Sequence, residues 1–592
     1  MRTFLFGLYG VVMVGLTACT DPLVVDNSNN PDRGRVFSNA ADLEQLISNT
    51  YARAHAATLG GGTVLTGGIN DALQPQLLVM GMENVSTLAN FAMGPRSAIP
   101  RNPISNARGS QGNLGNYRDW VVGHSAERMA ALGVARLKAL TLGSPARDAR
   151  ARAFARFSQG VALGNLALAY DSASILTEND NPEADAGVIV PLSGYRQVMT
   201  AALAYLDSAI AIASGPAPTG PTGDWFPLPA TWVNGNALTG GATGTFVQLA
   251  RSYKARLRAG VARTPAERAD ITAGGIVDWS KVIGDATAGL GATGAADFSI
   301  SMDRTIGWDI AWVAQHFASA NWHQMSQFYV GMADTLGGYD TWLATAPLLR
   351  PTFTVVTPDR RFPQGTTRPA QNAVTIPGTF AATPYFRNRP PGNDSPGEAI
   401  GISQYDFFRS RAFRVADRVG AYPVMTAAEI RLLAAEGYLR SNPPQVATAA
   451  ALIDVSRVGK GQMKPLAGVI TDTLMSVPGM DATYVPASRS CVPRVPDAAS
   501  PSRPYTKSKC GNIWDALKWE YRMETAYTGY GMWFYAARGW GDLPVGTATD
   551  WPVPNQEMDA RSEPFYSTGG TGGRDAAGPG NYGLFLGGVY GW

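Results

Sequence analysis

Histidine is scarce in this chain: there are four in 592 residues, at positions 55, 124, 316 and 323. His316 and His323 stand seven apart near Trp312 and Trp322, but no carboxylate accompanies them at ligand spacing. No His-Glu-x-x-His occurs, so these are read as hydrogen-bonded surface or groove histidines, and no metal is expected. Cysteine is scarcer still, with three residues: Cys19, Cys491 and Cys510. An excess of one charge is also missing. The chain has 49 basic and 46 acidic residues and a net charge of +3, which argues against a nucleic-acid-binding surface. Neither Gly-x-Ser-x-Gly nor the phosphate-cradling Gly-x-x-x-x-Gly-Lys-Ser/Thr is present, and no cofactor is implied. Carboxylates are numerous. An acid pair for glycoside hydrolysis works only when held about 5–9.5 Å apart, a distance that spacing along a chain does not reveal.

What the chain does have begins at its start. Arg2 precedes an uncharged run, Thr3 to Thr20, whose Phe4, Leu5, Phe6, Leu8, Val11, Val12, Met13, Val14 and Leu16 are apolar. The run is shorter than the ~20 residues of a membrane span and reads as a secretory signal over 1–18. It ends in Leu16-Thr17-Ala18-Cys19, the lipobox pattern of bacterial lipoproteins. Cys19 is then the lipid attachment point, carrying acyl chains of the palmitate kind. Each buried methylene contributes about 0.8 kcal/mol, so two or more chains hold firmly. The alternative is a cleaved signal in which Cys19 is incidental. Thr20 in place of aspartate favours outer-membrane sorting. Export leaves Cys491 and Cys510 as an even pair in an oxidising compartment, which favours a disulfide contributing ~3 kcal/mol. Metal ligation is the rival, but two cysteines without a nearby histidine do not complete a site.

Gly and Pro are abundant, at 66 and 40 residues, so much of the chain must be turn and loop. Residues 19–37 form a polar tether. Ser38 or Asn39 caps a first helix with Leu43, Leu46, Ile47 and Tyr51 on one face. Residues 58–116 read as a long loop, and loops of that length inside compact proteins tend to carry function. Helical spacing resumes over 117–140, then from Ser144-Pro145, then over 194–213, 245–263 and 278–290. Thr426-Ala427-Ala428-Glu429 reads as a capping box opening a helix, answered by a partner helix at 445–457. Helices in hairpins suggest a tetratricopeptide-like array, although the spacing is irregular and most consensus residues are missing. Residues 345–420 and 458–510 read as long ordered loops with a few short strands. The fold class expected is mainly α, with a loop-rich, minor-β portion.

Further landmarks carry a likeness. Thr357-Pro358-Asp359-Arg360-Arg361-Phe362, the Tyr422–Leu439 segment with Ala435-Glu436-Gly437, the set Ile513, Glu520, Arg522, Glu524 and Gly529, and Trp551-Pro552-Val553-Pro554-Asn555-Gln556-Glu557 together resemble motifs of the SusD/RagB family. Thr528 departs from a usual glutamate, Gly531 from a usual arginine, and no aspartate stands near Phe534. The likeness covers nearly the whole mature chain. It implies an outer-membrane lipoprotein facing the cell exterior that captures nutrients for a SusC-like TonB-dependent transporter, and that does no covalent chemistry. It further implies an N-terminal part over 38–345 packed as one unit with a C-terminal part over 346–592.

The ligand signal is aromatic. Trp225 and Trp232 lie in a Pro/Gly insert, and Trp308, Trp312, Trp322 and Tyr329 are interleaved with polar residues between 300 and 345. Flat rings stack on sugar faces while amides and guanidinium groups bond hydroxyls, and binding sites combine such platforms with a few polar groups. Each ring taken singly has an equal claim to a place in the core. By analogy with relatives, Asn90, Phe91 and Arg96 in the first long loop are further candidates. Oligosaccharide is the expected ligand. Peptide capture by the same fold is the alternative, and a lipoprotein glycosidase or peptidase a third reading.

Overall fold

The computed structural model describes residues 38–60, 72–86, 92–99, 101–109, 112–180 (side chains from 116), 189–217, 225–272, 274–303, 324–346, 349–373, 384–389, 401–409, 419–480, 489–497, 506–544 and 546–568. The signal, Cys19 and the tether lie outside these residues, as do Asn90, Phe91, Trp308, Trp312, Trp322, His316 and His323.

The helices begin with α1 (Ala40–Ser48), whose N-cap Asn39 accepts the Ala41 N–H at 2.8 Å, and α2 (Thr50–Thr58). The segment 58–116 is not a plain loop. It holds α3 (Gln74–Met80), every residue of which is buried, and the short helix Met93–Ser97. A helix with no solvent face has no 3.6-residue polarity pattern, so periodicity passes over it. The array proper follows: α4 (Gly112–Arg136), α5 (Pro145–Ala169), α6 (Tyr195–Ser214), α7 (Thr245–Gly260), α8 (Trp279–Thr287), α9 (Ala427–Arg440), α10 (Val446–Arg457), α11 (Ile513–Thr525), α12 (Met532–Trp540) and α13 (Asn555–Ala560). Consecutive helices from α4 to α10 lie against one another, and α11 packs on α9 and α10. Ser144 caps α5 through the Arg147 N–H at 3.2 Å, with Pro145 at its first position.

Close approach depends on small residues. A Cβ on Gly164 of α5 would collide with Leu257 of α7. Leu43, Phe157, Leu206, Leu257, Ile430, Ile453 and Val553 share a single apolar core that runs from α1 to α13.

Strands are short and occur in pairs: β1 (Asn84–Val85) with β5 (Gln324–Met325), β2 (Ser172–Ser174) with β3 (Leu192–Gly194), β4 (Phe298–Met302) with β8 (Gly420–Met425), β6 (Phe386–Asn388) with β7 (Tyr405–Phe407), and β9 (Arg494–Pro496) with β10 (Ser508–Cys510). All five pairs are antiparallel. Cys491 and Cys510 form a disulfide beside the β9–β10 pair, with Cα atoms 5.8 Å apart.

Thr426 caps α9 by accepting the Glu429 N–H at 3.1 Å, but the reciprocal half of the expected capping box is not made. The Glu429 carboxylate instead takes a fork from Arg256 of α7, at 2.7 and 2.6 Å. A buried guanidinium satisfied at both carboxylate oxygens by charge-assisted bonds outweighs a single cap bond to one backbone N–H. The reciprocal box occurs at α11, between Asn512 and Asp515. Arg268 grips Glu436 in the same bidentate way, at 2.7 and 2.6 Å, so α9 is pinned to the early helices twice.

Candidate functional site

Two of the three departures from the expected motifs have a local reason in the structure. Gly531 has φ +63° at the start of α12, and a Cβ there would stand 2.6 Å from Leu77 Cδ1. A long side chain at that position meets both penalties. Thr528 is buried and turns its hydroxyl onto Thr525 O at 3.0 Å, which closes the chain between α11 and α12.

The motif carboxylates and arginines are interior. Arg361 forks onto Asp359 at 2.9 and 2.8 Å and onto Glu520 at 2.6 and 2.9 Å. Ser456 Oγ reaches Glu520 at 2.7 Å and Glu524 at 3.0 Å, and Arg409 pairs with Glu524 at 2.9 Å. Burial pushes the Glu520 carboxyl up against the pull of Arg361. At Glu524 the same burial is outweighed by Arg409 and Arg361, which hold it below the usual range. At Glu436 burial is outweighed by Arg268 and Arg440, which bring the carboxyl down to about 2. These groups knit α10, α11 and the segments 357–362, 384–389 and 401–409 together; Arg361, Glu520 and Glu524 are almost wholly buried and present nothing to a ligand.

Among the sequence candidates, two take core places. Tyr329 is fully buried between Trp519 and Trp533, with ring centroids 4.7 and 4.4 Å away, and its hydroxyl donates to Trp519 O at 3.3 Å. Trp232 is 4 % exposed and packs on Phe154 at 5.0 Å, with the Arg150 guanidinium over its ring. Their flat faces are occupied by protein, so neither is a sugar platform in this conformation. Arg96 is buried too. Its Nε donates to Gln76 Oε1 at 3.2 Å and its Nη1 to Pro103 O at 3.1 Å, while burial lowers its pKa to about 10. It holds the first long loop together. Trp225 is half-buried and meets Phe226 edge-on at 5.2 Å.

The described residues show how the other candidates are based. β1 pairs with β5, Val85 facing Gln324, so the chain towards Asn90 and the chain from Trp322 leave adjacent points. Beyond them Ser326 bridges Ile402, and the Gln327 N–H donates to Gly401 O at 2.6 Å. β7 and β6 continue this edge, joined by Gln404 Nε2 to Asn388 Oδ1 at 2.8 Å and by Asn388 Nδ2 to Gln371 Oε1 at 2.8 Å. At the other end of the 304–323 segment, β4 pairs with β8, Met302 facing Gly420. The Trp232 insert is stitched to β4 through Ser301 N to Asn234 O at 2.9 Å and Asn236 Nδ2 to Ser299 O at 2.8 Å. Thus β1, β5, β7 and β6 gather the bases of three chain segments along one edge, and β4 fixes the second end of the tryptophan-bearing one. On this edge the half-buried Asp406 pairs with the buried Arg389 at 2.6 Å and with the half-buried Arg387 at 3.2 Å. Two- and three-residue strands have no readable alternation, so sequence reasoning missed this edge.

Beneath it sits Glu83. Its carboxyl accepts the Tyr527 N–H at 2.8 Å, and burial pushes its pKa up to about 8. Among the described residues no group of three or more His, Cys, Asp or Glu is placed to hold a metal ion.

A tetratricopeptide-like stack of helix hairpins with loops based on short strand pairs defines the class. It is the SusD-like fold. A SusD superfamily protein from Parabacteroides distasonis aligns with a TM-score of 0.52 at 10 % identity, over 88 % of this chain and 98 % of that one. A SusD superfamily protein from Bacteroides vulgatus aligns at 0.49 and 11 % identity, over 88 % and 90 % of the two chains. A SusD homolog from Bacteroides thetaiotaomicron aligns at 0.49 and 12 %, over 88 % and 96 %. No family model and no curated protein sequence matches the chain.

Proposed function

We propose that the chain is a lipid-anchored, outward-facing outer-membrane protein of the SusD/RagB kind. In this reading it binds oligosaccharide without altering it and passes it to a SusC-like TonB-dependent transporter. The observation that carries the reading is the common edge of β1, β5, β7 and β6, where segments bearing Asn90 and Trp322 start from adjacent, rigidly held points. Trp308, Trp312, Trp322 and Trp225 are the rings assigned to the ligand. Arg96 supports the loop that carries Asn90 and does not touch ligand; Trp232 and Tyr329 are withdrawn from the contact set. Cys19 and the lipobox support the anchor. Closure over ligand would be a rigid-body movement against the partner barrel.

Incubating the acyl-free chain from Thr20 onward with glycan and peptide pools tests the reading. Saturable depletion of glycans without new products is the expected result. Depletion of peptides assigns the fold to peptide capture instead, and product formation makes the protein an enzyme. Mass spectrometry of the native N-terminus, expected to show acylated Cys19, tests the anchor separately.

A further inference from the structure

A second concavity lies away from the edge just described. It is a cleft of about 440 Å³ between α4, the ends of the β2–β3 pair and α13. Ligand-binding clefts usually measure ~300–1,000 Å³. Trp120, His124 and Arg128 recur every fourth residue and present one stripe of α4 to it, while Ile189, Glu557 and Arg561 line the facing side.

The walls are held firmly. Glu127 accepts the Leu176 N–H at 2.8 Å and meets His124 Nδ1 at 3.1 Å, which ties β2 to α4. Arg561 spends its donors on protein: Nε on Glu557 Oε1 at 2.7 Å, Nη1 on Val190 O at 2.9 Å and Nη2 on Ser174 Oγ at 3.0 Å. Its charge is therefore matched by Glu557. Arg128, by contrast, is exposed and makes no hydrogen bond or ion pair with the described residues, acting on the neighbouring Glu127 carboxyl only through space. Opposite it Ile189 is 50 % exposed, an apolar wall without a cover in the described structure. One exposed planar guanidinium, the Ser125 hydroxyl and an apolar wall fit a molecule with one carboxylate on a hydroxylated, ring-sized body.

We infer that this cleft is a binding site for a sugar acid, with the carboxylate on Arg128 and the ring lying between α4 and Ile189. The site is separate from the loop edge, so it stands or falls independently of the function proposed above.

Calorimetric titration of the chain from Thr20 onward with glucuronate, and with glucose as the neutral counterpart, tests it. Glucuronate should bind saturably, weaken as salt is raised, and bind at least roughly tenfold better than glucose. Arg128→Gln should lose roughly tenfold in affinity, since the charge-assisted bonds go with the guanidinium. Ser125→Trp should also weaken binding by filling the cleft. Arg128 is exposed, so an unchanged melting temperature would show that Arg128→Gln is folded. Trp308→Ala with Trp322→Ala should leave glucuronate binding unchanged. The inference is overturned if glucuronate fails to bind, if it binds no better than glucose, or if Arg128→Gln and Ser125→Trp bind it as the parent does. It is equally overturned if the tryptophan changes, and not Arg128→Gln, abolish binding.

Discussion

Glu83 is a buried carboxyl whose pKa rises from the ordinary 4.5 to about 8, chiefly through burial. A carboxyl raised in the folded state favours folding fully below its ordinary value, and that contribution disappears as pH climbs through about 8. Melting temperatures recorded from pH 5 to pH 8.5 should therefore fall for the parent. They should fall less for Glu83→Gln, whose amide oxygen can still accept the Tyr527 N–H. Equal slopes for the two proteins would show that Glu83 ionises freely. Arg361 stands at the opposite extreme, with two carboxylates in its grip. Replacing it by Leu leaves Asp359 and Glu520 buried without their counter-charge, and should cost about 3–5 kcal/mol of unfolding free energy in urea titrations. Its place in the sequence, in the Asp359-Arg360-Arg361 motif, marked it as characteristic of a family. Its role as the centre of a buried ion cluster is visible only once α10 and α11 bring Ser456, Glu520 and Glu524 beside it.

At the level of elements, the array depends on helices approaching closely. Gly164→Ala should push α5 away from α7, with a loss of about 1–3 kcal/mol, the usual range for overpacking. Retained stability would mean Leu257 can change rotamer without cost. The disulfide closes a separation of 19 residues beside β9 and β10, and opening it by Cys491→Ala with Cys510→Ala should lower stability by about 3 kcal/mol. The long amphipathic helices were legible in the sequence because their apolar positions repeat: Val198, Ala202, Leu206 and Ile210 on α6 are all buried, as are Phe246, Leu249, Tyr253 and Leu257 on α7. The fully buried α3 was not legible, since uniform burial erases periodicity. Nor were the strands, at two to six residues each. The cysteine pairing was readable from an even count, an expected oxidising compartment and the lack of a nearby histidine. The aromatic candidates were readable only as a set: an isolated Trp in a Pro/Gly insert carries no mark that separates Trp225, half-buried on the surface, from Trp232, wedged against Phe154. That difference is made by α5, which the insert folds over.

For the whole molecule, helices from both halves share one core, and Arg256–Glu429 and Arg268–Glu436 cross between them, so the scaffold holds its loop bases as a rigid frame. Preorganised bases lower the ordering cost of binding at the loops they carry. This is where the proposal of nutrient capture draws its physical support, and where it is most exposed to refutation. The most direct measurement is the equilibrium affinity of the acyl-free chain for an oligosaccharide selected from a glycan pool, compared with that of Trp308→Ala/Trp322→Ala, with melting temperature and product analysis on the same samples. The account predicts saturable binding without products, weakened by roughly tenfold or more in the double variant, at nearly unchanged melting temperature, as loss of stacking rings should do. Unaltered affinity in the double variant, a collapse of its stability, or cleavage of the bound glycan would contradict it.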